Sequence, residues 1–352
     1  MARIAVVTSS PPFVEGGHLV IARELVRACR ASGHDADLVI TPQNRFGRQG
    51  TAYLAAWLTD VGVAADGGAV DHVISLRYPA FAVRHPHHIC WLNHTMREYY
   101  DRWPAFSASI SWRNRVKESM RRALIHRADR HFLMRLDRRF VISSTVQARL
   151  ARWGNVPSDV LHPPAPVRPY HCDGYGDYVF AVSRLTPLKR FDLLLDALAE
   201  PAAQGIRAVI AGEGEAGEAL LAQWRRLGLE DRVDFVGRLD DVQLLHHLSR
   251  CRAVAFLPLD EDYGFVTVEA FAAQKAVLTC SDSGGPTELV TDGVEGVVCA
   301  PTAAAVADGL RRLMDDPAAA ERMGRAGAAR GATLRWDATV ARLLGGAVSA
   351  EV

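Results

Sequence analysis

The chain has 352 residues, enough for two compact domains rather than one. Apolar residues make up 49%, charged residues 23%, and the formal net charge is +1; this excludes a disordered chain and a global field that would attract nucleic acid. No run of about 18 apolar residues offers a bilayer span, and the opening MARIAVVTSSPP has too short an apolar run for a signal peptide. Six cysteines, Cys29, Cys90, Cys172, Cys251, Cys280 and Cys299, form no CxxC pair and have no His at metal-ligand spacing. They read as buried thiols of a cytoplasmic protein.

In chain order, Arg3–Ser9 is an apolar run ending in small polar residues, the pattern of a buried strand. The loop SPPFVEGG follows, then a helical pattern that stops at Gly33. Strand-like runs recur at Asp35–Thr41, Val70–Leu76, His87–Asn93 and Arg139–Ser143, with helical patterns between most of them. Around HPPAPVRPYHCDGYGD, His162–Asp177, prolines and glycines crowd and periodicity is lost, as in an interdomain linker. The alternation then restarts with strands at Tyr178–Ser183, Arg207–Gly212, Arg232–Gly237, Ala253–Leu259 and Ala276–Cys280. A helix is expected from about Phe191 and another around Thr267–Gln274. Such alternation predicts two α/β domains with parallel sheets, whose ligands sit beyond the carboxyl ends of the strands. The predicted division is 1–165, a linker at 166–177, 178–332, and a last helical segment at 333–352.

Several stretches carry candidate chemistry. Gly212, Gly214 and Gly217 form a G-x-G-x-x-G after a strand, the dinucleotide pattern. Glu213, Glu215 and Glu218 crowd it with carboxylates that repel a pyrophosphate, so it reads as a glycine-rich turn. Arg184 and Lys189 lie past the end of Tyr178–Ser183, where a guanidinium and an ammonium could grip a diphosphate or simply be solvated. In EDYGFVTVEAF, Glu261 follows a strand, and Gly264, Phe265, Val266 and Thr267 lead into a helix whose free N–H groups could bind phosphate or sugar oxygens. Glu269 is expected in the first turn of that helix. It could complement the dipole or accept hydrogen bonds from a vicinal diol.

These stretches, AVSRLTPLKRFDLLLDAL, VDFVGRL and Glu261…Glu269 followed by CSDSGGPTELV, resemble the retaining glycosyltransferases of family 4. The first half is similar more loosely, through SSPPFVEGG and WLNH at Trp91–His94. The resemblance implies the GT-B fold, two Rossmann-like domains facing across a cleft: an acceptor-binding domain first, then a nucleotide-sugar-binding one. It implies transfer of a sugar from a UDP-, GDP- or TDP-linked donor to a sugar, lipid-linked or small-molecule acceptor, with retention of configuration, in polysaccharide, glycolipid or natural-product synthesis. No cofactor or metal is implied. By the same resemblance, Arg184 and Lys189 bind the diphosphate, Glu269 the ribose hydroxyls and Glu261 the donor sugar. The backbone of Gly264–Thr267 lines sugar and phosphates. Gly16 and Gly17 bring the chain near the phosphates, and His94 lies close to the reaction centre. Val236, Gly237, Arg238 and Leu239 pack the base, and the last helix returns to the first domain. Arg190 departs from the pattern, since many relatives carry glycine after the lysine. A nucleotide-sugar epimerase, a glycogen-synthase-like enzyme and a non-enzymatic nucleotide-binding protein on the same fold stay open as alternatives.

Trp112–Arg139 holds ten Arg and Lys against three acids, and Trp112, Val116, Met120 and Leu124 recur at helical spacing. The segment reads as a surface helix with a solvated basic face, or as a peripheral contact with an anionic membrane at its inner face or a lipid-diphosphate acceptor.

Overall fold

In a computed structural model of the chain, residues 1–13, 16–43 and 47–345 are described. Val14 and Glu15 of the first glycine loop, and residues 346–352 of the last helical segment, lie outside them. The chain divides into two compact units, Met1–Pro166 joined by the segment from Arg335, and Val167–Leu334. Among the described residues no helix is long and apolar enough to cross a membrane.

The first unit is built on six parallel strands, β1 Arg3–Ser10, β2 Asp35–Pro42, β3 His72–Ser75, β4 His88–Leu92, β5 Arg138–Val141 and β6 Asp159–Val160. They lie in the order β2-β1-β3-β4-β5-β6. Ile4, Val6, Val7, Val73 and Ile74 are buried, as a two-faced parallel sheet requires. The second unit has β7 Tyr178–Val182, β8 Arg207–Ala211, β9 Val233–Gly237, β10 Ala253–Ala255, β11 Ala276–Cys280 and β12 Gly296–Cys299. Their order is β12-β11-β10-β7-β8-β9. Helices between the strands bury Leu194, Leu195, Leu198, Leu220, Leu310 and Leu313 against the sheet. All ten strands expected from sequence are present; β6 and β12 are additional. β10 is shorter than Ala253–Leu259, because after Ala255 the chain leaves the ladder to form a loop.

The expected linker at 166–177 is not a free connection. From Val167 on it packs on the second unit: Asp173 N–H donates to Ser249 O at 2.9 Å and Gly176 N–H to Arg250 O at 2.9 Å. The Tyr175 hydroxyl donates to Gln274 O at 2.9 Å. Irregular backbone must place its polar groups somewhere, and here the second unit accepts them. The chain from Arg335 returns to the first unit. The helix Trp336–Leu344 packs on the helix Gly17–Ala31, and the Trp336 indole donates to Ala165 O at 2.9 Å. Four cysteines are buried, while Cys172 and Cys299 are only partly so.

The helix Trp112–Leu133 opens on Ser111, whose hydroxyl accepts from Asn114 N–H. Its two carboxylates both turn inward. Asp129 accepts from the hydroxyls of Tyr53 and Tyr100, the latter at 2.5 Å. Glu118 accepts from Tyr99 at 2.7 Å. Burial pushes the Asp129 carboxyl up from 3.8 to about 6, against the pull of its two tyrosine donors. The folded state therefore binds more protons than the unfolded one between these two values, and stability falls as pH rises through that window. Asp129→Asn cannot titrate, so urea unfolding across pH should lose this component, roughly 3 kcal/mol between the ends of the window.

Candidate functional site in the second unit

The winding of the second sheet reverses between its central neighbours β7 and β10. Open parallel sheets hold ligands beyond the strand ends at such a point. The loops leaving β7, β10 and β11 carry most of the candidate residues. Arg184 is exposed beyond β7, and among the described residues its guanidinium meets no hydrogen-bond or ion-pair partner. Lys189 closes a short 3-10 turn, Pro187–Lys189, and its Nζ donates to Glu261 Oε2 at 2.6 Å. The ammonium also lies 5.3 Å from the centre of the Phe256 ring. The diphosphate candidate and the sugar candidate are thus paired with each other.

Arg190 is neither solvated nor turned to an open anion site. It sits in the left-handed region at φ 50°, which explains why glycine suits this position. Its Nε donates to Leu257 O at 2.6 Å and Nη2 to Pro258 O at 2.8 Å. Nη1 and Nη2 grip Asp282 at 2.8 and 2.7 Å. The fork binds the exits of β7, β10 and β11 together. Glu261 is held by its backbone in the same way: its N–H donates to Ser283 O at 2.8 Å and its carbonyl accepts from Gly285 at 2.9 Å.

The glycine triplet supports Arg184 rather than a dinucleotide. Leu185 N–H donates to Glu213 O, and Ala216 N–H to Leu185 O, both at 2.9 Å. A Cβ on Gly212 would lie 1.8 Å from Ser183 O, and one on Gly214 2.3 Å from Leu185 O. These glycines let the loop after β8 close on the loop that bears Arg184. Gly237 ends β9 and its carbonyl accepts from Gly212 N–H at 2.8 Å, so the expected base segment, with Arg238 exposed and Leu239 half-buried, adjoins that turn.

Glu269 departs from the sequence reading. The helix runs Phe265–Ala272, two residues earlier than expected, so Glu269 is past its first turn and cannot complement its N-terminus. It is buried instead, accepting from Arg168 and, at 3.1 Å, from the Tyr170 hydroxyl. Burial raises the affinity of this carboxyl for a proton, while Arg168 and Tyr170 oppose the rise. Arg168 also reaches Asp241 at 3.2 Å, on the helix after the base segment. Arg168 and Tyr170 carry no sequence signal of their own; they lie in the aperiodic stretch whose composition predicts a linker.

Gly264 precedes that helix at φ 86°, and a Cβ there would lie 2.6 Å from the Phe256 ring. Thr267 is fully buried and its N–H already serves Gly264 O at 3.0 Å, so Phe265 and Val266 are the half-buried residues of this stretch. The remaining candidates belong to the first unit. Gly16 flanks the helix Gly17–Ala31 in extended backbone, φ −171°, that any residue adopts. His94 follows β4, and its Nδ1 donates to Thr95 O at 2.8 Å.

Residues 173–330 match the family model described as glycosyl transferases group 1. Over 123 residues the chain is 41% identical to a glycogen synthase of Mycobacterium tuberculosis, a stretch that is 35% of this chain and 30% of that relative. The matched stretch thus spans under a third of that protein's length. In fold the chain resembles a sucrose-phosphate synthase from Thermosynechococcus elongatus, TM-score 0.76 at 18% identity over 98% of both chains. It also resembles HepE of Anabaena, solved with UDP and glucose, TM-score 0.71 at 18% identity over 97% of this chain and 98% of that one. The two six-stranded parallel sheets are those of the GT-B fold.

Two substitutions test the supports of this site. Arg168→Leu leaves Glu269 buried without its cation and should lower stability by about 3 kcal/mol in urea unfolding. Gly214→Ala should lower the melting temperature, because its methyl group collides with the backbone of the Arg184 loop.

Proposed function

We propose that the chain is a retaining glycosyltransferase that moves a sugar from a nucleoside-diphosphate sugar to an acceptor hydroxyl. The observation that carries this reading is the Lys189–Glu261 pair beside exposed Arg184 at the reversal point of the second sheet. The family match over this unit, and the UDP and glucose held by the similarly folded Anabaena protein, support a nucleotide sugar as the donor.

When the bond from the donor's C1 to the diphosphate breaks, negative charge grows on the leaving group and positive charge on C1. Arg184, Lys189 and the N–H groups of Phe265 and Val266 would stabilise the first charge. Glu261 accepts hydrogen bonds from the sugar and Glu269 from the ribose. The acceptor hydroxyl attacks C1 from the face the diphosphate leaves. Its proton passes to the departing phosphate oxygen, and the configuration at C1 is kept. His94 is proposed to contribute near the reaction centre, Gly16 and Gly17 near the phosphates, and Gly237, Arg238 and Leu239 at the base.

Lys189→Ala and Glu269→Ala should each cut turnover by about a hundredfold or more while a folded transition persists; near-normal turnover in either overturns the site. A thermal-shift panel of UDP-, GDP- and TDP-sugars should raise the melting temperature for one donor above the rest, since a ligand of the folded state stabilises it by mass action.

A further inference from the structure

The helix Trp112–Leu133 of the first unit exposes four large apolar side chains on one face. Trp112 is 69% exposed, Val116 55%, Met120 61% and Leu124 68%. A spacing of four residues aligns them along the helix. Soluble proteins scatter such residues singly, and a contiguous row marks a contact surface. Five cations border the row and are exposed: Arg113, Arg115, Lys117, Arg127 and Arg130. The guanidinium of Arg113 lies 5.3 Å from the centre of the Trp112 ring.

Both carboxylates of the helix, Glu118 and Asp129, are buried on the opposite face against tyrosine hydroxyls. The two remaining arginines also serve the inside. Arg121 pairs with Glu118, and Arg122 donates to Tyr99 O at 2.8 Å while lying 5.2 Å from both the Trp103 and Trp153 rings. The fold has therefore sorted the charges, and the solvent face of this helix is purely cationic around an apolar seam.

We propose that this face is a docking surface for an anionic lipid bilayer. An amphipathic helix lying flat places its apolar seam at the acyl boundary and its cations among the headgroup phosphates, with tryptophan at the interface. Its 22 residues would lie along about 33 Å of membrane. A nucleic acid would match the cations and leave the seam unburied. A second copy of the chain across a two-fold axis would bring the same five cations against each other. Anionic lipid satisfies both features at once.

The test is co-sedimentation of the full chain with vesicles of mixed phosphatidylglycerol and phosphatidylcholine, and with vesicles of phosphatidylcholine alone. Binding should be seen with the mixed vesicles, weaken as salt is raised, and be at least tenfold weaker with pure phosphatidylcholine, on the order of the loss expected for several surface cations. Arg113→Ala, Lys117→Ala and Arg127→Ala together should weaken binding on the order of a hundredfold. Met120→Glu with Leu124→Glu should abolish it. These side chains are exposed, so thermal melts should stay close to the parent's. Should a variant fail to fold, the lipid and salt dependence of the parent chain still decides. No binding to the mixed vesicles, equal binding to both, or binding untouched by the substitutions would overturn the proposal. So would a dimer in sedimentation velocity that Met120→Glu dissociates while vesicle binding stays unchanged.

Discussion

The candidate site of the second unit depends on one guanidinium. Arg190 holds the carbonyls of Leu257 and Pro258 and both oxygens of Asp282, so one planar group fixes three loops that arise from three strands. It works alongside backbone bonds between the same exits, Leu259 N–H to Leu188 O at 2.8 Å and Asp260 N–H to Asp282 O at 2.9 Å, and it reaches all three with one side chain. The left-handed backbone of Arg190 costs on the order of 1 kcal/mol. That strain is offset by four charge-assisted contacts in a partly buried setting. Lys189 precedes this residue and inherits its placement. The 2.6 Å contact to Glu261 is thus a product of the clamp as much as of mutual attraction.

Much of this fold is legible in the sequence because parallel strands buried on both faces write continuous apolar runs. RIAVVTS, YVFAVS and AVLTC each become strands at the expected places. Two strands escape the reading for a physical reason. β6 has two residues, and β12 has three apolar residues behind Gly296, too short a run to carry a period. The site divides similarly. Glu261, Lys189 and Arg184 can be found because strand ends locate them.

The environment of Glu269 cannot be found that way, because its partners come from a segment with no periodicity at all. Proline and glycine in PPAPVRPYHCDGYGD correctly announce irregular backbone. They say nothing of whether that backbone is loose or bonded down. The structure bonds it through Arg168, Tyr170, Asp173 and Tyr175. A shift of two residues in one helix start then turned a surface dipole partner into a buried acceptor. In the same way, the positions of the ten basic residues in Trp112–Arg139 follow from sequence, while the inward turn of Glu118 and Asp129 follows only from the tyrosines that receive them.

The pairing of Lys189 with Glu261 has a consequence for selectivity. The ammonium is already paired with a carboxylate, so under the proposed reading an inorganic phosphate or bare diphosphate must compete for it and would leave Glu261 without its counter-ion. A molecule that carries a hydroxylated ring next to its phosphates offers a replacement to each partner at once: oxygen anions for the lysine, hydroxyl donors for the glutamate. Under the proposed reading the contact works as a two-key lock: the leaving diphosphate supplies a partner to Lys189 but none to Glu261, which favours its release.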